Sequence, residues 1–345
     1  MKEFFITLLS LVRKTVTRVV YGSKAEGNNR LGNMDEIKEP SDDFPRTFSF
    51  GAACASCKTS LPPLRDTAAV FFENGSVPCS NCKVAVDLWD VTKKEFEMFR
   101  GTFIGLVGLG ANQTVFIFDL QPGKIKNLDF TESGVPPSAL VVSVNYTAQG
   151  TGCFPIELHG NEARSRSYNP KASVYGACLG DSPGPVKVAV AVTWIDELEE
   201  PEAWTMLADA FHAATDNRFS RVVVPAYSAF EVGVSRLIRE LFLTVTSKES
   251  VDEFMVKDLS SASAVNVLLP FICRTLGIKD LVGDIRGSLT RLRRLRNKAL
   301  HEGLRDVDVD SIEVAKLLCA AVFGFEFVRY ARTKLSQQPW LKTIT

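Results

Sequence analysis

The chain has 345 residues, with 40 Lys and Arg against 40 Asp and Glu; 46% of residues are hydrophobic and 23% charged. That balance excludes wholesale disorder, which needs low hydrophobicity and high net charge. It also excludes a polycationic coat, so any nucleic-acid contact has to come from a local basic patch. At this length two or three domains are expected rather than one core.

No run of 18 apolar residues is present, so no membrane span is expected. The mostly apolar stretch from Phe4 to Val12 is followed by Arg13 and Lys14, without a clear small-residue cleavage site. The cytoplasm is therefore the expected compartment. Phe4, Leu8, Leu11, Val12, Val16 and Val19 recur at helical spacing, and residues 1–24 carry five positive charges and one negative. The pattern predicts an amphipathic helix over 1–24. Such a helix suits a membrane surface, or packs on the protein's own body or a partner subunit, the reading preferred here. Residues 25–45, polar and Gly/Asn-rich, read as a flexible linker.

From residue 46 the chain reads as a mainly β domain ending near 196. Thr114–Phe118, Leu140–Val144 and Val186–Ile195 are apolar strand runs, and Gly, Pro and Asn clusters separate them. Near its start lie two C-x₂-C pairs, Cys54 with Cys57 and Cys79 with Cys82, with 21 residues between the pairs. Each pair can aim two thiolates at one point, and together they complete a tetrahedral Cys₄ shell suited to Zn²⁺. A closed shell leaves no position for water or substrate, so the zinc is expected to be structural, and no catalytic metal is expected. Disulfides are the competing reading, disfavoured without a secretory signal. Bracing the domain is at least as good a role for this ribbon as nucleic-acid contact, because Lys58 and Lys83 are not part of a dense basic cluster.

The acidic stretch Asp196–Pro201 marks the main boundary, after which the hydrophobic period changes from 2 to 3.6. Helices are predicted near 202–216, 218–246, 261–276, 280–302 and 309–335, an all-α bundle. The fold class is thus α+β and multidomain: a zinc-braced, mainly β N-terminal domain over 46–196, then helices over 202–335. Cys273 and Cys319 fall in apolar helical stretches and are expected in the core.

One predicted helix concentrates chemistry. Ile285, Leu289, Leu292, Leu295 and Ala299 define its apolar face, while the span Arg286–Arg305 holds seven positive charges and one negative. At about 100° per residue, Thr290, Arg294, Asn297 and His301 share a narrow stripe. His301 lies near the helix end, with Gly303 as terminator, where the helix dipole favours the imidazolium. An imidazole able to exchange a proton with a ribose 2′-OH or a leaving oxygen, with an amide and arginines beside it, makes a set able to cleave a phosphodiester. The bland alternatives are a solvated basic face and a histidine that caps its helix. Glu231, on the long helix before it, is expected to pair with a bundle arginine.

Arg296-Asn297-Lys298-Ala299-Leu300-His301 resembles the R-N-x₃-H motif of HEPN domains, and Ala226–Phe242 resembles the long leading helix of that family. The resemblance covers about residues 202–335. It implies a HEPN-like helical bundle and a metal-independent endoribonuclease in which two motifs meet across a homodimer. Arg296 would bind the scissile phosphate, His301 would transfer protons and Asn297 would orient the substrate. Arg293, Arg294 and Lys298 would contact RNA, and the products would carry a 2′,3′-cyclic phosphate and a 5′-hydroxyl. Arg296 stands about 140° round an ideal helix from His301, so Arg294 could share the phosphate work. Such bundles joined to varied N-terminal regions are similar to proteins of prokaryotic defence and toxin systems, with the zinc and β region as regulator or sensor, open to a regulatory partner or ligand. The alternatives are a non-catalytic HEPN dimerisation or nucleotide-binding scaffold, and a nucleic-acid-binding protein acting through its zinc ribbon.

Overall fold

The structure, a computed structural model, describes residues 52–98, 111–149, 153–159, 171–178, 185–195, 201–257, 259–304 and 307–339. The expected amphipathic helix (1–24) and linker (25–45) lie outside them. Among the described residues no single helix is long and apolar enough to cross a membrane.

The cysteine-bearing segment folds as two small hairpins, each followed by a helix. Helix α1 (Leu64–Asn74) starts after Pro63 and stops at Gly75, whose φ of 79° is the left-handed conformation that closes a helix. Strands β1 (Val77–Pro78) and β2 (Ala85–Val86) pair antiparallel. Helix α2 (Leu88–Met98) begins where the Asp87 carboxylate accepts the Trp89 N–H at 2.9 Å.

Six longer strands follow, all antiparallel: β3 (Asn112–Leu120), β4 (Ile125–Asp129), β5 (Leu140–Gln149), β6 (Cys153–His159), β7 (Lys171–Cys178) and β8 (Val186–Ile195). They form two three-stranded sheets, β3-β8-β5 and β4-β7-β6. Val186, Val188, Val190 and Val192 alternate inward from β8 and meet Leu128, Val174 and Phe130 in one apolar cluster. The three strand runs read from sequence correspond to β3, β5 and β8. His159 is the last residue of β6.

The C-terminal region is helical: α3 (Pro201–Thr215), α4 (Val223–Leu243), α5 (Lys248–Lys257), α6 (Ser261–Leu276), α7 (Gly283–His301) and α8 (Ser311–Ser336). Within α6 the Ala264–Leu268 stretch has π-helical bonding. The long helices match the predicted spans, and α5 is an addition. Cys273 and Cys319 are buried, as expected.

Packing divides the chain differently from the grouping read off the sequence. Residues 52–98 contribute nothing to the apolar cluster of the longer strands, and among the described residues of those strands only Leu140 and Ile195, at strand ends, reach the core that 52–98 enters. Side chains of 52–98 join the helices in one apolar cluster: Phe71 packs edge-on to Phe323, Phe72 to Phe327 and Trp89 to Phe323. The reason is physical. Leu64, Thr67, Ala68, Phe71 and Phe72 lie on one face of α1, and two-residue strands offer too little surface to cover it. Polar contacts reinforce the seam. The Glu73 carboxylate accepts from Lys334 Nζ at 2.8 Å and from the Tyr330 hydroxyl at 3.2 Å, and the Glu73 carbonyl accepts from Lys279 Nζ at 2.7 Å. The Lys334 and Tyr330 bonds hold the Glu73 carboxyl below its ordinary range.

Helix α8 is buried on nearly every side, and Glu326 within it is only 2% exposed, paired with Arg329 at 3.1 Å. Gly324 lets two neighbours approach: a Cβ there would lie 2.9 Å from Phe230 Cδ2 and 3.0 Å from Leu289 Cδ1. Gly324→Ala is therefore expected to destabilise the protein by about 1–3 kcal/mol through overpacking, despite alanine's better helix propensity. Urea unfolding checks this; a neutral or stabilising result would show that Phe230 and Leu289 yield freely.

Candidate metal centre and helix-tip site

The four cysteines converge. Cys54, Cys57, Cys79 and Cys82 have their sulfur atoms within 4.8 Å of one another, with Cys54 Sγ 3.6 Å from Cys82 Sγ and Cys57 Sγ 3.5 Å from Cys79 Sγ. Zn–S bonds of about 2.3 Å in a tetrahedron would set sulfurs about 3.8 Å apart, so the cluster has the dimensions of a four-thiolate metal shell.

Two matching turns create it. In each, the residue after the second cysteine adopts a left-handed backbone, Lys58 at φ 59° and Lys83 at φ 61°. In each, that residue's N–H bonds back to the first cysteine's carbonyl, at 2.8 Å for Lys58 to Cys54 and 3.0 Å for Lys83 to Cys79. The turns also aim N–H groups at sulfur. The hydroxyl and N–H of Thr59 lower the Cys57 thiol to about 5, and the Cys57 N–H leads in lowering Cys54. At Cys82 the Val84 N–H favours the thiolate, yet burial and the three neighbouring thiols push it up to about 12. Four clustered sulfurs cannot all ionise unaided, and a divalent cation is the charge that would let them. The four cysteines therefore fit a metal ion, held on the hairpins that carry α1 and α2.

An ion held there would brace those helices against α8, and its removal would loosen them. Cys79→Ser, or treatment with a strong chelator, is expected to lower the melting temperature by roughly 10 °C or more and to shift Trp89 emission as its packing on Phe323 opens. Unchanged melting in both would contradict the coupling.

Glu95 on α2 accepts a bond from the Ala53 N–H, yet burial dominates and raises its carboxyl to about 7. An acid whose folded pKa lies above its unfolded value near 4.5 favours folding below that value. The contribution fades as pH rises towards 7. Glu95→Gln should thus gain stability over the wild type on going from pH 4.5 to 8, on the order of 2 kcal/mol, read from melting temperatures across that range. A constant difference would contradict the assignment.

Helix α7 places the second set. Ile285, Leu289, Leu292, Leu295 and Ala299 are buried against the bundle, as the period predicts, which turns the basic residues outward. Arg291 pairs with Glu313 at 2.7 Å and Arg286 pairs with Asp280. Arg294, Asn297, Lys298 and His301 are exposed, and Arg293 is half-buried. Arg296 is the anchored member. Its guanidinium donates to Glu231 Oε2 at 3.0 Å and to Asn297 Oδ1 at 3.1 Å, and lies 6.0 Å from the ring centre of Tyr227. Buried Tyr227 bonds the Ser261 hydroxyl at 2.7 Å.

The structure thus brings Arg296 and Asn297 together and identifies the arginine that Glu231 holds. It does not join His301 to Arg296: no hydrogen bond or ion pair ties His301 to any described residue, and the imidazole stands at the helix C-terminus facing solvent. Tyr227 and Ser261, which complete the arginine's cradle, were not singled out from sequence; only the aromatic at one turn before Glu231 hinted at it. No protein-family model, curated protein or solved structure matches this chain.

Proposed function

We propose that the helical region is a HEPN-type, metal-independent endoribonuclease and that the cysteine cluster holds a structural zinc ion. One observation carries the ribonuclease reading. Helix α7 presents Arg294, Asn297 and His301 on one exposed stripe beside Arg296, whose guanidinium is held 3.0 Å from Glu231.

The chemistry follows from those side chains. Arg296 and Arg294 hold the scissile phosphate and offset charge developing on its oxygens. Arg293 and Lys298 bind flanking phosphates, and Asn297 orients the substrate. In a homodimer two copies of the motif meet. One His301 takes the proton of the ribose 2′-OH as that oxygen bonds to phosphorus, and the other protonates the departing 5′-oxygen as the P–O5′ bond breaks. The products are a 2′,3′-cyclic phosphate and a 5′-hydroxyl. The second copy also answers the geometry, because about 140° of helix separates Arg296 from His301 within one chain.

Zinc is the metal best suited to four thiolates in a closed tetrahedron. It supplies no step of the cleavage; it braces the segment that packs on α8. The strand region then serves as regulator or sensor, in keeping with a defence or toxin role.

The purified chain is expected to cleave RNA in EDTA, and His301→Ala is expected to lower the rate by roughly 10²–10⁴-fold without changing the melting temperature. Absence of EDTA-resistant cleavage, or its survival in His301→Ala, would overturn the reading and leave a scaffold.

A further inference from the structure

Behind Glu231, between α4, α5 and the start of α6, lies a cleft of about 110 Å³. Met255, Leu259 and Val265 give it apolar walls, and Glu231, Ser235 and Ser261 give it polar groups. Two of those groups have bonding capacity to spare. Glu231 gives Oε2 to Arg296, while its Oε1 accepts nothing among the described residues. The Ser235 hydroxyl likewise bonds to no described residue, although helical serines readily bond back to the preceding turn. Ser261 is fixed by Tyr227. The wall formed by Ala264 and Val265 is the π-helical stretch of α6, a distortion that recurs at functional sites.

We propose that this cleft is a nucleobase subsite. The inference rests on the ribonuclease reading, since Glu231 is also the residue that holds Arg296. Size and chemistry both select a base. A cavity of about 150 Å³ encloses one benzene ring, so an open cleft of this volume takes the six-membered edge of a base and leaves ribose and phosphate outside. Bases of single-stranded RNA are recognised unstacked, with their faces on apolar or aromatic side chains and their edges hydrogen-bonded. Here the ring lies against Met255, Leu259 and Val265, an N–H of the base donates to Glu231 Oε1, and Ser235 donates to the neighbouring acceptor. Every natural base carries a donor beside an acceptor on its Watson–Crick edge. The carboxylate is already neutralised by Arg296, so a neutral base edge suits it better than a second cation. Glu231 would then link phosphate-holding Arg296 on one side to base recognition on the other.

The test uses the full chain and four nucleosides, with ribose 5-phosphate as a probe that lacks a base. Binding is followed by saturation-transfer NMR, and cleavage sites are mapped on a mixed-sequence RNA. Nucleosides should bind where ribose 5-phosphate does not. Ser235→Trp, which fills the cleft, should abolish that binding and flatten the base preference at one fixed position relative to the cut. Should that variant not fold, Ser235→Ala decides instead, with nucleoside affinity expected to fall roughly 2- to 10-fold for one lost hydrogen bond. Cleavage that depends on His301 but shows no base preference, together with nucleosides that bind no better than ribose 5-phosphate, overturns the subsite and leaves the ribonuclease standing. Nucleoside binding that responds to Ser235 in a chain that cuts no RNA keeps the subsite and sinks the ribonuclease.

Discussion

The burial of α8 is the constraint on which the rest of the molecule depends. Its 26 residues turn apolar side chains in every direction, and no single neighbour could cover them. Phe323 and Phe327 meet the aromatic residues of α1 and α2, Phe325 packs edge-on to Trp204 of α3, and Gly324 admits Phe230 of α4 and Leu289 of α7. A helix apolar on all sides has to be enclosed. The enclosure fixes α7 on one flank and the cysteine-bearing hairpins on another. The orientation of the helix-tip residues and the convergence of the four cysteines therefore draw on the same core.

Much of this is legible in the chain, and the unread parts have identifiable causes. The long helices declare themselves by period, and α7 does so twice, by its buried leucines and its outward arginines. The C-x₂-C spacing reads directly as converging sulfurs because the knuckle is local: one left-handed residue and two backbone bonds build each half. Helices α1 and α2 were lost among the strand signals downstream. Yet α1 has both punctuation marks, Pro63 before it and Gly75 after it, with Phe71 and Phe72 on its buried face. Helix α5 was unread because only Val251 of its ten residues is buried, so its period is faint. That Glu231 would pair with an arginine was readable; that the arginine would be Arg296 was not, since it depends on the register of α4 against α7, which only the enclosure of α8 sets.

The two halves of the R-N-x₃-H segment end in contrasting environments. Arg296 is half-buried and held by a carboxylate, an amide and an aromatic face, so its guanidinium needs little reorganisation to meet a phosphate. His301 is exposed on a helix end, open to solvent. In the proposed ribonuclease the fixed guanidinium would hold the phosphate and the exposed imidazole would carry the proton. One chain does not bring the two together, and in the proposed homodimer the second copy would do so.

In the proposed ribonuclease the ribose 2′-oxygen, and not a metal-activated water, would attack the phosphorus. End-group analysis of RNA cut in EDTA tests it most directly. Fragments ending in 2′,3′-cyclic phosphate and beginning with 5′-hydroxyl are expected, with no cut where the preceding ribose is 2′-deoxy. Fragments with 3′-hydroxyl and 5′-phosphate ends, or cutting at a 2′-deoxy position, would contradict it.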